Sequence, residues 1–386
     1  MQGEAAVVGV GESIYYRAGR SPHDAFQLAC IAIRNAIADA GLQPSDVDGI
    51  VSFNHLGADA ARLASVVGFG NLRFASQAWS GGGNLGAQTL LLADAAVCSG
   101  HATNVVAFRS LDQGRAGRFG QARSITPAAD EFAYLSPFGA AAPVVRNAII
   151  ANKFMHKYGI SQEALADISL AAYAHAQHNP RAVMYGRPLT RDDYHESRWI
   201  AEPLHLYDCC QENDGAAAVV VTSSERARDL RQPPAYILGG AVGVESRAGL
   251  WALADNAYPN GRFRSVGAHL WNSTGVKPAD IDVAQFYENF TGTTLMAIAD
   301  IGFCEPGDVE AFVGNGNLQW PNGGLPLNTS GGNLAEAYIH GFQLINEAVR
   351  QVRGQSTCQV ADVELSLSAA GPGTPPSSAV LFSKSV

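Results

Sequence analysis

The feature that most constrains this chain is that it writes itself twice. AGLQPSDVDGIVSF at residues 40–53 and TGVKPADIDVAQFY at 274–287 share Gly, Pro and two Asp in register. GGNL stands at 82–85 and again at 331–334, following the first repeated segment both times at a similar separation. One recurring tetrapeptide is chance, whereas two ordered matches define an internal duplication. A chain of 386 residues also exceeds the size at which a single hydrophobic core stops growing. Two related halves are therefore expected, residues 1–235, with an insertion at about 110–205, and residues 236–386.

Each half reads as helix, turn and strand. DAFQLACIAIRNAIADAG carries apolar residues at helical spacing before Pro44-Ser45-Asp46 and the apolar IVSF, and Pro278-Ala279-Asp280 repeats the punctuation. Pro cannot continue the preceding helix and Asp suits the turn. Alternation of helix and strand predicts α/β layers. GGNLGAQTLLLADAAVCSG opens on glycines and is apolar nearly all round, as a helix inside the protein would be; GGNLAEAYIHGFQLINEAVRQVRG starts alike and becomes amphipathic. Both glycine-rich entrances let a ligand approach a helix N-terminus, where free N–H groups favour negative charge. The insertion holds Arg115, Arg118 and Arg123 and the helical NAIIANKFMHKYG and SQEALADISLAAYAHAQHNP, and long insertions of this kind form binding loops.

Composition removes several function classes. Acidic residues exceed basic ones by 35 to 26, for a net charge of −9, which disfavours nucleic acid as a partner. No apolar run is long enough to span a membrane. MQGEAAVVGVGES lacks a basic segment before its apolar stretch and is expected to be a first β-strand, placing the protein in the cytoplasm. Six cysteines without Cys-x-x-Cys spacing fit neither a zinc site nor a disulfide framework. The histidines show no ligand-like pairing beyond His175 and His178, so no metal is expected.

The blocks AAVVGVGES, ADAGLQPSDVDGIV, HLYDCCQENDGAAAVVVTS, QFYENFTGTTLMAIADIGFC and LPLNTSGGNLAEAYIHGF resemble the sterol-carrier-protein-type branch of the thiolase superfamily over essentially the whole chain. The resemblance implies the duplicated five-layer αβαβα thiolase sandwich, usually dimeric. Thiolases place a nucleophilic Cys at the N-terminus of the first buried helix, where the helix stabilises a thiolate. Here Trp79-Ser80-Gly81-Gly82-Gly83-Asn84 puts Gly82 or Gly83 there, with Ser80 the only nearby hydroxyl. The family's Gly-His-Pro becomes Ala337-Tyr338-Ile339, its Asn-Glu-Ala-Phe becomes Tyr287-Glu288-Asn289-Phe290, and its late Cys-x-Gly becomes Gly371-Pro372-Gly373.

Loss of both thiols with gain of two tyrosines resembles the thiolase-like steroid side-chain aldolases, as do AYIHG, RFGQ and DCCQENDGA. That resemblance implies retro-aldol cleavage of a steroid β-hydroxyacyl-CoA to a ring ketone or aldehyde and propionyl-CoA or acetyl-CoA. It further implies no cofactor beyond the CoA of the substrate, and an OB-fold partner, often associated with a hydratase, around a homodimer. The chemistry needs a base for the β-hydroxyl, stabilisation of a thioester enolate and an acid for the α-carbon, and tyrosine, with a pKa near ~10, can serve as either acid or base. Tyr287 is placed as base and Tyr338 as acid or enolate-side partner, an assignment the residues allow to be exchanged. Backbone N–H groups of Gly82, Gly83, Gly331 or Gly332 would face the enolate oxygen.

Plainer roles stand beside these. Either tyrosine could be packing, and Glu288 and Asn289 are supporting residues of the Tyr287 block. His340 follows Tyr338 by two residues, which on a helix puts it on another face, so it is at most a supporting group. Cys209-Cys210 is expected to pack between the halves, Asp214 to sit in a turn, and the arginines of the insertion to be solvated. A Schiff-base aldolase needs a buried Lys, and Lys153, Lys157, Lys277 and Lys384 lie in the polar insertion, a turn or the tail. Two rivals remain, an unusual acyl-CoA acyltransferase without the nucleophilic Cys and a non-catalytic acyl-binding subunit.

Overall fold

The computed structural model describes residues 3–53, 59–79, 82–116, 133, 136–140, 142–245, 262–371, 373 and 375–386. Ser80, Arg118, Arg123, Pro372 and the RFGQ segment fall outside them.

The duplicated phrases build duplicated structure. Helix α1 (Ala25–Ala40) starts at an Asp24–Gln27 capping box and stops at left-handed Gly41, and its counterpart (Arg264–Thr274) stops at left-handed Gly275. Each is followed by a short 3₁₀ turn (Pro44–Asp46, Pro278–Asp280) closed by its own Asp, with the Gln43 and Lys277 N–H groups each donating over 2.8 Å. The second repeated Asp also works twice. Asp48 accepts from the N–H groups of Thr103 and Asn104, and Asp282 from those of Glu364 and Leu365, pinning each strand to its parallel neighbour.

In chain order the strands are β1 (Ala5–Glu12), β2 (Tyr16–Arg17), β3 (Gly49–Phe53), β4 (Phe74–Ala78), β5 (Asn104–Asp112), β6 (Trp199–Ala201), β7 (Leu204–His205), β8 (Asn213–Ser223), β9 (Ala235–Gly243), β10 (Val283–Phe286), β11 (Leu365–Ala370) and β12 (Ser377–Ser383). Among the described residues β4-β3-β5-β8-β1 forms one set, with β2 on β8, and β9-β12-β11-β10 the other; β6 and β7 make a separate ribbon. Two residue pairs, Ala6 with Tyr236 and Val7 with Ala235, join the sets. The parallel pair β3–β5 is matched by β10–β11, and a parallel bridge from Ala284 to Leu327 stands where β4 lies beside β3.

Alternation along the strands sorts the core into layers. Ala5 and Val7 face a central cluster while Ala6 and Val8 face an outer one, and likewise Val380 and Phe382 point inward and Ala379 and Leu381 outward. The outer cluster of the first set is closed by α1 and α2 (Ala60–Val67). The central cluster holds α3 (Gly86–Cys98) and a second helix (Phe342–Arg353), both touching strands of both sets. The other outer cluster is covered by the 264–274 helix and one at Thr291–Ile301. Three apolar layers between helices and sheets give the expected α/β sandwich.

Three expectations are completed or corrected. The two helices read in the insertion are present, and they are core elements: α4 (Pro143–Tyr158) and α5 (Gln162–Ala176) pack on the outer core of the second set, with Phe154, Leu165 and Tyr173 buried there. Numbering the longer helices onward gives α6 (Arg264–Thr274), α7 (Thr291–Ile301) and α8 (Phe342–Arg353), with shorter ones elsewhere in the chain such as Arg191–Glu196 and Val309–Val313. Secondly, α8 has no solvated face; its polar side is buried on groups distant in sequence, Arg350 on Glu12 and Arg353 on Asp39. Thirdly, Asp214 is a buried residue of β8 whose carboxylate gathers the N–H groups of Gly19, Ser21 and Gly114.

Candidate active site

The two copies of GGNL part company at their fifth residue. In the first, Gly82–Asn84 leads straight into α3. In the second, Gly332–Glu336 forms one π-helical turn, Ala337 is extended (φ −168°, ψ 155°), and the regular helix α8 begins only at Phe342. The expectation that Tyr338 starts a helix, with His340 turned to another face, is therefore wrong. Both lie in the break, and their rings meet edge to face at 5.1 Å. Side-chain amides replace the missing helical bonds: Asn213 Oδ1 accepts from Tyr338 N (2.8 Å), Gln343 Oε1 from Ile339 N (3.3 Å), and Gln343 Nε2 donates to Ala337 O (2.5 Å).

The break presents Tyr338 to Tyr287, which follows β10 directly. Their hydroxyls are 2.6 Å apart, and the side chains are 8% and 3% exposed. Burial raises both phenols well above their ordinary value. Cys210 and Glu288 push Tyr287 further up; the Tyr338 hydroxyl bonded to it and the guanidinium of Arg109 pull it down. Leu344 and Ala370 complete the small cluster, with Cys210 against it.

Gly83 lies directly under Tyr287, since a Cβ added there would stand 2.3 Å from the phenol oxygen, and left-handed Gly341 lies against the same edge of the ring nearer its Cβ. Gly82 is half-buried and next in line. Gly331 and Gly332 are elsewhere. Gly331 N–H is committed to Asn328 O at 2.9 Å, which removes it from the oxyanion donors, and Gly332 (φ +60°) lies against the Glu288 carboxylate. That carboxyl is fully buried and raised well above its usual range by burial; its oxygens make no hydrogen bond of normal geometry, though backbone N–H groups of Glu288, Leu334 and Asn333 and the Asn328 amide lower it. Asn289 turns its side chain to the start of α7, accepting from Phe290 N and Thr293 Oγ1.

Sequence reasoning missed Arg109. It stands in the middle of apolar β5, 5% exposed, its Nη1 donating to Phe53 O (2.6 Å) and its Nη2 to His340 Nδ1 (3.0 Å). Guanidinium has no acceptor, so His340 Nδ1 accepts and the ring proton sits on Nε2. Burial and Arg109 together hold His340 well below its ordinary pKa, so the ring is neutral. Arg109 is lowered to about 10 by burial, against which both tyrosines act.

Cys210, from the first half, packs on the tyrosine cluster of the second, as expected of a residue between the halves. Burial pushes its thiol well above the ordinary value, with Cys209, Glu288 and Glu212 adding to it, the reverse of what a nucleophile needs. His175 binds backbone through both nitrogens, Asn328 O at 3.2 Å and Trp320 N at 2.9 Å, and no group of three or more His, Cys, Asp or Glu among the described residues is arranged for a metal. Arg115 pairs with Asp112 at the surface.

A duplicated sandwich with two glycine-entered central segments, one running into α3 and the other opened beside a buried tyrosine pair, defines a thiolase-fold protein. The family model described as "Thiolase C-terminal domain-like" matches residues 254–383. The chain is 42% identical over 389 residues to a steroid side-chain-cleaving aldolase of Thermomonospora curvata, covering 99% of this chain and 98% of that one. It is 41% identical over 393 residues to the 17-hydroxy-3-oxo-4-pregnene-20-carboxyl-CoA lyase of Mycobacterium tuberculosis, covering 99% and 100%. Among solved structures it superposes on an "Ltp2-ChsH2(DUF35) aldolase" with TM-score 0.91 and 39% identity, over 99% of this chain and 98% of that one. The chain belongs to this family of thiolase-fold aldolases. No helix among the described residues is long and apolar enough to cross a membrane.

Proposed function

We propose that this protein is a carbon–carbon lyase that cleaves a steroid β-hydroxyacyl-CoA by retro-aldol reaction at the Tyr287–Tyr338 pair. For a 17-hydroxy-steroid-20-carboxyl-CoA, one tyrosine, as phenolate, takes the proton of the 17-hydroxyl. The C17–C20 bond breaks, its electron pair passing to the thioester as an enolate and leaving a 17-ketone. The other tyrosine, as phenol, gives its proton to C20, and the second product is propionyl-CoA. The observation that carries this reading is the 2.6 Å contact between the phenols. The proton taken by one tyrosine returns to the other across a single hydrogen bond, restoring the pair without solvent.

Tyr287 is the base in this scheme and Tyr338 the acid. Of the glycines expected to face the enolate oxygen, Gly83 lies beneath Tyr287, and its backbone N–H is the enolate's donor in this scheme. Nothing beyond the substrate's own CoA is required as cofactor. Acyl transfer is disfavoured in this reading, since the half-buried Cys210 thiol is pushed above its ordinary value by desolvation. The working assembly is a homodimer carrying a DUF35-type partner like the one in the superposed structure, in the role of the expected OB-fold subunit. All six cysteines are unpaired, which suits a cytoplasmic enzyme.

The test is incubation of the protein, with and without that partner, with 17-hydroxy-3-oxo-4-pregnene-20-carboxyl-CoA in the absence of free CoA, read by mass spectrometry. The 17-ketone and propionyl-CoA in equal amounts are expected. Products that form only on adding free CoA would establish thiolysis instead.

A further inference from the structure

Arg109 and His340 come from opposite halves of the duplication and meet behind Tyr338. The guanidinium enters from β5, one nitrogen on Phe53 O and another on His340 Nδ1, with the Phe53 ring 5.3 Å from its centre. The Phe53 carbonyl and the His340 ring are both neutral acceptors. His340 holds φ +50°, a conformation that a non-glycine side chain adopts only when its surroundings impose it. The imposed conformation turns Nδ1 to Arg109 and the ring edge to Tyr338.

A pair of buried phenols presents a physical problem that these residues answer. Desolvation opposes phenolate at both tyrosines, and Cys210 and Glu288 oppose it further at Tyr287. Retro-aldol cleavage needs one phenolate for each turnover. A fixed positive charge in a water-poor site stabilises that phenolate strongly, because the interaction is little screened.

We propose that Arg109 is a positioning charge for the reaction: held by Phe53 O and aimed by His340, it lets the Tyr287–Tyr338 pair carry one negative charge, with His340 serving as a neutral acceptor and taking no proton itself. This rests on the tyrosine pair being the acid and base of the enzyme. Of the groups facing the pair, Cys210 and Glu288 work against ionisation and Arg109 works for it. Asparagine in place of His340 puts its Oδ1 where Nδ1 now accepts, and tolerates a left-handed backbone. Leucine fills the volume and offers no acceptor.

The experiment is the pH dependence of kcat and KM for cleavage of 17-hydroxy-3-oxo-4-pregnene-20-carboxyl-CoA by the intact protein with its partner, in Arg109→Gln, Arg109→Lys, His340→Asn, His340→Leu and Tyr338→Phe. Arg109→Gln is expected to move the acid limb of kcat upward by about 1–2 pH units, lowering kcat at neutral pH roughly 10- to 100-fold with KM little changed. His340→Leu shifts the limb the same way, and His340→Asn keeps it near that of the parent. Should Arg109→Gln not fold, Arg109→Lys, which keeps a charge but loses the fork, carries the test with a smaller shift in the same direction. An unmoved limb in the folded Arg109 variant and in His340→Leu, with Tyr338→Phe inactive, overturns the role given to Arg109 and leaves the tyrosine pair standing. Retention of kcat in Tyr338→Phe overturns the tyrosine reading, and this proposal with it.

Discussion

The two GGNL segments start from the same four residues and end as different machines. The first runs into α3, whose interior is alanine, leucine and valine with Asp94 the buried carboxylate. The second is stopped after one π-helical turn, and the stop creates the site. Residues 337–341 leave the helix, swing Tyr338 toward Tyr287 and put His340 beside Arg109. Breaking a helix inside a protein strands backbone N–H groups, and here Asn213 and Gln343 take them up. Duplication supplied two equivalent helix entrances. One stayed a packing element beneath the tyrosine, and the other was opened to hold the second tyrosine.

The sharpest test of that contrast compares matched positions. Tyr338 occupies the place that Thr89 holds in the first copy. Tyr338→Phe should lower kcat by ~10²–10⁴-fold with little change in melting temperature, in line with loss of a general acid or base. Thr89→Val, which removes a hydroxyl bonded only to Leu85 O within α3, should leave kcat within about twofold.

The second contrast is between an apolar and a charge-locked central helix. Arg350 of α8 grips Glu12 through both nitrogens at 2.8 and 2.7 Å. Burial raises the Glu12 carboxyl, but the pairing with Arg350, helped by Arg181, outweighs it and holds the pKa at about 2 against 4.5. A carboxyl held low in the folded state stabilises fully above its unfolded value. That contribution is lost as pH falls from 4.5 toward about 2, and it amounts to about 3 kcal/mol. Urea unfolding across that window should show the loss in the parent protein and a flattened acid branch in Arg350→Met. Leu90→Ala in α3 should destabilise by about 2–5 kcal/mol at every pH.

The glycines divide in the same way. At Gly332, with φ +60° and a new Cβ only 1.6 Å from Glu288 Oε1, alanine should destabilise the fold by about 2–3 kcal/mol. At its counterpart Gly83 the new Cβ meets the Tyr287 ring and hydroxyl, so alanine should lower kcat ~10-fold or more by displacing that phenol, with a smaller effect on thermal unfolding. A smaller effect belongs to the bonds that stabilise the break. Asn213→Ala, which strips Tyr338 N of its acceptor at 2.8 Å, should reduce stability by about 1–2 kcal/mol and kcat by a few-fold.

What the sequence showed and what it hid follow from range. The turn around Pro44–Asp46 and its copy at 278–280 is legible because every bond that closes it lies within three residues. Asp48 and Asp282, each pinning a neighbouring strand, are legible only because the chain repeats them. The break at 337–341 is hidden, since FQLINEAVRQVR has helical periodicity and nothing local marks where the regular helix begins. Its acceptors lie at Asn213, 125 positions away, and at Gln343, inside the next helix. The polar face of α8 looks solvated in sequence because Glu12, its partner, is 338 positions away. Arg109 is hidden for the same reason: within NVVAFRSLD it is one charge in an apolar strand, and only the fold brings His340, 231 positions on, to its side.

The measurement that tests the account most directly is turnover of 17-hydroxy-3-oxo-4-pregnene-20-carboxyl-CoA in D₂O without free CoA, with the propionyl-CoA weighed by mass spectrometry. Protonation of the enolate carbon by an exchangeable tyrosine predicts a single deuterium on the α-carbon of the propionyl group, formed ~10²–10⁴-fold more slowly by Tyr338→Phe. Unlabelled propionyl-CoA, or the same labelled yield from Tyr338→Phe as from the parent protein, would contradict it.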